Sequence, residues 1–559
     1  MKTSFFGMVI GDTFRVSAKW LWHASHGIRW RLSLSSLLGI IRVAAGLGFI
    51  YVSKLLVDMA THRLQGDSHD MVSLGIVMVM LMLLQIGTGA FSSWFSMQTQ
   101  IMMSNRNRNR IYTHLMHSQW LGKGRLHSGD VLNRLEEDVR VITSTLCGSL
   151  PQVLVTTVQL IAAFVFLSRL SMVMACSIAL IMPFFLLFSK IYVRTVRRLT
   201  KQIRDTDSIV QSHLQESIQH HVLIQSMEQS GIMSDRLHGM QDTLYRQTMH
   251  RTRFSIFSRI MVTLGFAAGY LAAFIWSIIQ LDAGTITFGT MTAFLQLVSQ
   301  IQNPAVGLSQ LIPSFIHAST SVDRLRELEE IPSEEGLDKK LISGVVGIRL
   351  SDVTFRYPDG DRDVLQHFSH DFCPGSRTAI VGETGAGKST MIRLMLSLLR
   401  PDAGSISLYN ASGESLPAQA ETRCNMVYVP QGNSLLSGTI RQNLLLGNPD
   451  ATEEQMYEAL HRASADFVRD LNMGLQTVCA EYGEGLSEGQ AQRIAIARGL
   501  LRPGSILLLD EFSSSLDMDT EQTLIHNLIQ TCQDKTMIFI THRNMIIDYC
   551  DEVIKMQSL

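Results

Sequence analysis

A chain of 559 residues is longer than one ordinary domain. Its charged residues make up 17% against 46% hydrophobic, below the roughly 25% charge of soluble proteins, which argues against a wholly soluble protein. A formal net charge of −1 gives no argument for nucleic acid, which is set aside as a partner, and seven cysteines without a CxxC pair are expected to be reduced and structural.

Residues 1–31 set Lys19, Arg29 and Arg31 among Trp20, Trp22 and Trp30, a pattern suited to a helix lying at a membrane interface. The stretch lacks the apolar core and small-residue cleavage site of a signal peptide, so the first span is expected to act as its own insertion signal. Six long apolar segments follow, near 32–56, 71–94, 150–167, 172–193, 256–279 and 288–316, each able to cross a bilayer. Basic residues set their orientation. Arg106, Arg108, Arg110, Lys123, Arg125, Arg134 and Arg140 lie between spans two and three, and Arg194, Arg197, Arg198 and Lys201 follow span four. These sides, and with them both termini, are expected in the cytoplasm. The connections after spans one, three and five are short and hold Asp58, Asp67, Asp70 and Asp282, so they are expected outside.

DVLNRLEEDVRVI (130–142) and DTDSIVQSHLQESIQ (205–219) repeat at helical spacing, which predicts spanning helices that continue into the cytoplasm. Arg42, about ten residues into span one, is costly there and is expected to line a cavity, find a partner or snorkel. Gln85, Gln159, Gln296 and Gln300 read first as ties between helices. A charged helix then breaks at Pro332, so residues 326–346 are expected to be a linker between a membrane domain, 1–325, and a soluble domain, 347–559.

In the soluble part, the strand-like RTAIVG runs into GETGAGKST (382–390) and then the helical MIRLMLSLL, the setting of a phosphate-binding loop. Backbone N–H groups of Gly382, Glu383, Thr384, Gly385, Ala386 and Gly387 can curl around phosphates, helped by the positive end of the helix that carries Thr390. Lys388 is placed to reach the β- and γ-phosphates and Ser389 to hold Mg²⁺. The apolar run ILLLDE ends in Asp510, the expected Mg²⁺-side acid, and Glu511, the expected group that orients or deprotonates the attacking water.

LSEGQAQRIAIARGLL (486–501), placed before SILLLDE, resembles the signature segment of ATP-binding cassette proteins. YVPQGNSLLSGTIRQNLLLG (428–447) is similar to the glutamine loop of exporter-type members, SSSLD (513–517) to the D-loop and IFITHR (538–543) to the switch histidine. GDVLNRLEEDV, and GTITFGTMTAF followed by QNP, resemble the exporter membrane domain. The chain thus resembles an ABC exporter half-transporter. The fold implied is a multi-domain membrane protein, an all-α six-helix transmembrane domain plus an α/β P-loop NTPase domain.

The resemblance implies that Tyr357 stacks on adenine, Gln431 senses Mg²⁺ and the membrane domain, and His542 contacts the γ-phosphate. It implies ATP and Mg²⁺ as cofactors, and a second half-transporter whose phosphate-binding loop meets Ser487, Gly489, Gln490 and Asp517 of this chain. A homodimer is expected, because one chain carries every motif of a composite site. The implied activity is ATP-driven export of an amphipathic or hydrophobic cargo, a lipid, drug-like compound or peptide, across a bacterial plasma membrane. The alternative is a regulatory half whose partner hydrolyses ATP. Three departures stand out. Glu488 replaces a common glycine, Ser515 replaces alanine, and 17 residues after His542 leave little room for the family's usual tail. An amino-terminal peptide-trimming domain is not expected.

Overall fold

The computed structural model describes residues 19–61, 68–119, 128–334, 338–357, 360, 362–383, 385–479 and 485–557. The chain divides into two units, Met1–Tyr112 with Gly129–Leu328, and Thr113–Ser128 with Glu329–Leu559.

The first unit is helical. Its elements are α1 (Arg29–Ala60), α2 (Ser68–Met116), α3 (Ser128–Asn133), α4 (Val139–Ser144), α5 (Leu150–Leu170), α6 (Met172–Gln219), α7 (His221–Ser226), α8 (Ser230–Asp282) and α9 (Phe288–Glu329). Among the described residues, four helical runs are long and apolar enough to cross a membrane: Arg29–Ala60, Ser68–Met116, Gly129–Leu170 and Ser230–Asp282. The predicted fourth and sixth segments lie on α6 and α9. Helices α2, α6 and α8 run for 49, 48 and 53 residues. At 1.5 Å per residue each measures roughly 70–80 Å, more than twice a 30 Å hydrocarbon layer, so apolar and polar stretches share one continuous helix.

Between α3 and α5 the helix widens into two π turns, Arg134–Asp138 and Thr145–Ser149. The first belongs to an ion-pair network with α9. Arg134 donates to Asp130 at 2.8 Å and to Glu327 at 2.7 Å, while Arg324 donates to Asp130 at 2.9 Å. Buried Asp138 accepts from the Ser321 hydroxyl at 2.8 Å. The charges of GDVLNRLEEDV therefore tie two helices together.

Asp58 departs from its expected place in an outer loop. It sits in the last turn of α1, 1% exposed, and its carboxylate accepts from the Gly289 N–H at 2.9 Å while pairing with Lys54. The carboxylate satisfies a free N–H in the first turn of α9. A side chain at Gly289 would meet the Lys54 carbonyl at 2.3 Å, so the approach needs glycine. Residues 326–329 remain helical rather than forming part of an open linker.

In the second unit β1 (Val346–Phe355), β2 (Leu365–Phe372), β4 (Ala403–Asn410) and β5 (Ser415–Pro417) form an antiparallel sheet in the order β2-β1-β4-β5. A parallel sheet runs β11-β3-β10-β9-β6, built from β3 (Arg377–Gly382), β6 (Met426–Val429), β9 (Ile506–Asp510), β10 (Thr536–Ile540) and β11 (Glu552–Met556). Ile506 and Leu508 of β9 point into one core with Ile538 and Ile540, and Leu507 and Leu509 point into the other with Phe539 and Ile494. Both faces of β9 are covered, which is why its sequence is an unbroken apolar run instead of an alternation. Residues of the segment after α2 pair with the chain after α9: Gln119 N–H donates to the Pro332 carbonyl at 2.9 Å and Glu334 N–H to that of His117 at 2.8 Å. The sequence had placed that segment in the membrane domain.

Candidate functional site

The loop between β3 and α10 (Lys388–Met395) opens the site. Gly387, immediately before α10, has φ +89°, a left-handed conformation that glycine adopts without strain. Thr384 lies outside the described residues. Lys388 is 7% exposed, and its ammonium folds back to the carbonyls of Gly382 and of Glu383, the latter at 3.0 Å. It also donates to His542 Nε2 at 3.1 Å.

The parallel strands deliver the acids. Asp510 ends β9, and its carboxylate takes hydrogen bonds from Ser389 and, at 3.4 Å, from Tyr428. Burial raises its carboxyl above the ordinary range, and the adjacent Glu511 charge adds to this; the Ser389 and Tyr428 hydrogen bonds and the Arg393 charge oppose it. Burial and the Asp510 charge also push the Tyr428 phenol up to about 12, which keeps it a donor. Glu511 follows in a left-handed conformation, φ +43°. Its N–H donates to the Ile540 carbonyl at 3.0 Å, and its own carbonyl accepts from Gln492 at 3.2 Å. These bonds hold the backbone on both sides. Its carboxylate accepts from Gln431 at 2.5 Å and lies 3.7 Å from His542 Nε2. Lys388, Ser389, Gln431, Asp510, Glu511 and His542 are thus brought to one place at the carboxyl ends of parallel strands, where α/β sheets bind ligands.

Tyr357 packs edge-on against Phe355, and its hydroxyl meets Thr390 at 3.1 Å and accepts from Arg393 at 3.2 Å. The other predicted residues stand apart. Ser487 caps α14 (Glu488–Leu501): its hydroxyl accepts from the Gln490 N–H at 3.2 Å, and the Gln490 side chain accepts from Ser487 N–H at 2.9 Å. Gly489 is packed so that a Cβ would lie 2.8 Å from the Ser515 carbonyl. Asp517 caps α15 (Met518–Thr531) by accepting from Thr520 N–H at 3.0 Å. Among the described residues none of these four hydrogen-bonds to the loop at 382–390.

Sequence reasoning missed three contributors. Tyr428 and Gln492 support Asp510 and Glu511, and Glu521, 1% exposed, joins the loop after Glu511 to the segment after His542. It accepts from Ser513 and from Arg543, both at 2.5 Å, and Arg543 also donates to the Ser514 carbonyl. Tyr428 had a usable signal, lying at the end of a strand three residues before Gln431; the other two had none without the fold.

Two family models match the chain, ABC transporter transmembrane region over residues 32–305 and ABC transporter over residues 365–514. The leukotoxin export ATP-binding protein LtxB of Aggregatibacter actinomycetemcomitans is 34% identical over 278 residues, 49% of this chain and 39% of that protein. A fatty acid ABC transporter ATP-binding/permease protein of Mycobacterium tuberculosis is 27% identical over 432 residues, 77% of this chain and 68% of its own length. The solved structure of a bacterial Atm1-family ABC exporter with ATP bound superposes with TM-score 0.80 at 21% identity, covering 95% of this chain and 94% of that one, and so shares the fold. The chain belongs to the ABC transporter family, with the family's transmembrane region and its ATP-binding domain fused in one half-transporter chain. Its class is that of ATPase-coupled transporters.

Proposed function

We propose that this chain hydrolyses ATP to export an amphipathic or hydrophobic cargo across a bacterial inner membrane, as half of a homodimer with the ATP-binding domain in the cytoplasm. The observation that carries this reading is the convergence of Lys388, Gln431, Glu511 and His542 in one hydrogen-bonded group. Each has a role there. The Lys388 ammonium, which now rests on carbonyls of its own loop, exchanges them for phosphate oxygens when ATP binds. Leaving His542 Nε2, it frees that ring to face the γ-phosphate. Glu511 accepts the proton of a water that attacks the γ-phosphorus; the bond to the β,γ-bridging oxygen breaks and ADP leaves with its electron pair.

Ser389, Asp510 and Gln431 offer hard oxygen donors, which fits Mg²⁺ held by few protein groups together with substrate phosphates. When bound, the ion neutralises charge on the phosphates. The names of the two relatives cover a leukotoxin and a fatty acid, so the cargo class is argued below from this chain's own residues. The test is ATPase activity of the purified protein together with ATP-dependent cargo uptake into inverted membrane vesicles. Absence of ATP turnover at saturating ATP overturns the reading.

Glu488 should slow this reaction. It occupies the first position of α14, and in the dimer that helix start receives the other chain's γ-phosphate, so a carboxylate opposes the incoming charge. Exposed groups at a helix start contribute about 0.3–1 kcal/mol, so Glu488→Gly is expected to raise kcat/KM for ATP about two- to fivefold. Glu488→Gln separates charge from backbone freedom. Steady-state ATPase measured across ATP concentrations checks it, and unchanged kcat/KM in both variants means the carboxylate points away from phosphate.

A further inference from the structure

The membrane unit holds an open-mouthed cavity of about 700 Å³ between α1, α2, α5 and α9. This is the size of a small-molecule site. Arg42 lies roughly 20 Å along α1 from its first residue, at the depth of the hydrocarbon layer. Its guanidinium faces the cavity across Gly89 of α2, where a Cβ would lie 3.6 Å from Cζ. Among the described residues that line the cavity, Arg42 carries the single charge, and no described residue gives it a hydrogen bond or ion pair. The rest of the polar wall is amide and hydroxyl: Gln85, Ser92, Gln159 and Gln300. Gln159 donates to Gln300 at 2.5 Å, which fixes both amides and leaves the Gln300 N–H groups for another acceptor. Val43, Leu47, Met97 and Val155 supply apolar wall beside them.

Arg42 is exposed to this cavity, and charged residues at such depth face a cavity or pair with an opposite charge. Here the described residues line the cavity without a carboxylate. We propose that the missing partner is the cargo, an apolar molecule bearing an oxyanion headgroup, carboxylate or phosphate, that Arg42 grips with its planar fork. The pairing suits Arg42 because two parallel N–H groups match two oxyanion oxygens, which a lysine at the same position could not do. Gln300 and Gln85 supply further donors to the headgroup, and the apolar wall takes the start of the chain. The carboxylate-free lining rejects cations by the same arrangement.

This assignment rests on the transporter reading, and its test can fail independently of it. Three fluorescent probes with one long alkyl chain and ending in a carboxylic acid, a phosphate monoester or a hydroxyl are titrated against the intact protein in neutral detergent. The acid or the phosphate is expected to bind the parent protein about ten- to a hundredfold more tightly than the alcohol, the range of one charge-assisted, two-pronged contact. The tighter of the two identifies the headgroup. In Arg42→Gln the preference should fall to near unity, and Arg42→Lys should retain only part of it. The parent's own preference needs no variant, so a variant that fails to fold does not blunt the test. Equal binding of all three probes by the parent, or a preference that survives in a folded Arg42→Gln, overturns the assignment. ATP turnover measured on the same preparation reports on the transporter reading: turnover without anion preference sinks only this inference.

Discussion

Glu511→Gln is expected to cut ATP turnover by roughly 10²-fold or more while leaving ATP binding intact. The amide keeps the shape of the side chain and its contact with Gln431, but it cannot take a proton from water. Nothing in the backbone should move, because Glu511 is fixed by its N–H to Ile540 and by its carbonyl to Gln492, and neither bond involves the side chain. ATP affinity depends on the loop at 382–390 and on Lys388, which the substitution leaves alone. The measurement pairs single-turnover hydrolysis with equilibrium nucleotide binding. Turnover near the parent rate removes Glu511 from its role as base. A joint loss of binding points to misfolding instead.

Lys388→Ala and Ser487→Arg should each abolish turnover, and dimers containing one copy of each should recover it. The expectation follows from how one chain places these groups: Lys388 gathers with Glu511 and His542, whereas Ser487 and Gln490 are locked in their own helix cap and make no hydrogen bond to the described residues of the phosphate loop. On the proposed reading, a site that uses both draws them from two chains. In a mixed dimer one site bears both lesions and the other bears neither, so activity should return to about half of the parent's if the sites act independently. Ser487→Arg also removes a helix cap worth about 1 kcal/mol, which retained nucleotide binding will show the fold tolerates. Mixed dimers purified through two different tags provide the assay. If they stay inactive, Ser389→Cys with Ser487→Cys, on a background lacking the native cysteines, decides between the remaining cases. A nucleotide-dependent link between chains supports a shared site whose halves must work together, and its absence counts against sharing.

The order of the nucleotide motifs was legible because each is local: a strand, a turn and a helix start within a dozen residues, or an apolar run ending in two acids. The long membrane helices were legible for the same reason, since their pattern repeats along one segment. What the sequence concealed was pairing at a distance. Asp58 looked like a loop acid because it follows a span, yet its partner is the N–H of Gly289 at the start of another helix. The π turns at Arg134–Asp138 and Thr145–Ser149 leave no local signature, because an extra residue in a helix is set by packing on both sides. Glu521 resembled any acid in the first turn of a helix, where its charge suits the dipole, but it is buried between Ser513 and Arg543. Arg42 was singled out by its depth alone. Which neighbours it had, and that none among the described residues lining the cavity was acidic, required four helices in place.

The left-handed turn at Glu511 sets function against folding at a single position. For a residue other than glycine that conformation costs about 1–2 kcal/mol, so the chain keeps a carboxylate where its fold would be better served by glycine. Glu511→Gly should therefore melt at a higher temperature than the parent while losing hydrolysis. On the proposed reading, the need to turn over ATP is what opposes that gradient. In a lineage freed from the need to turn over ATP, drift at this position would run downhill, towards a sturdier protein that no longer works.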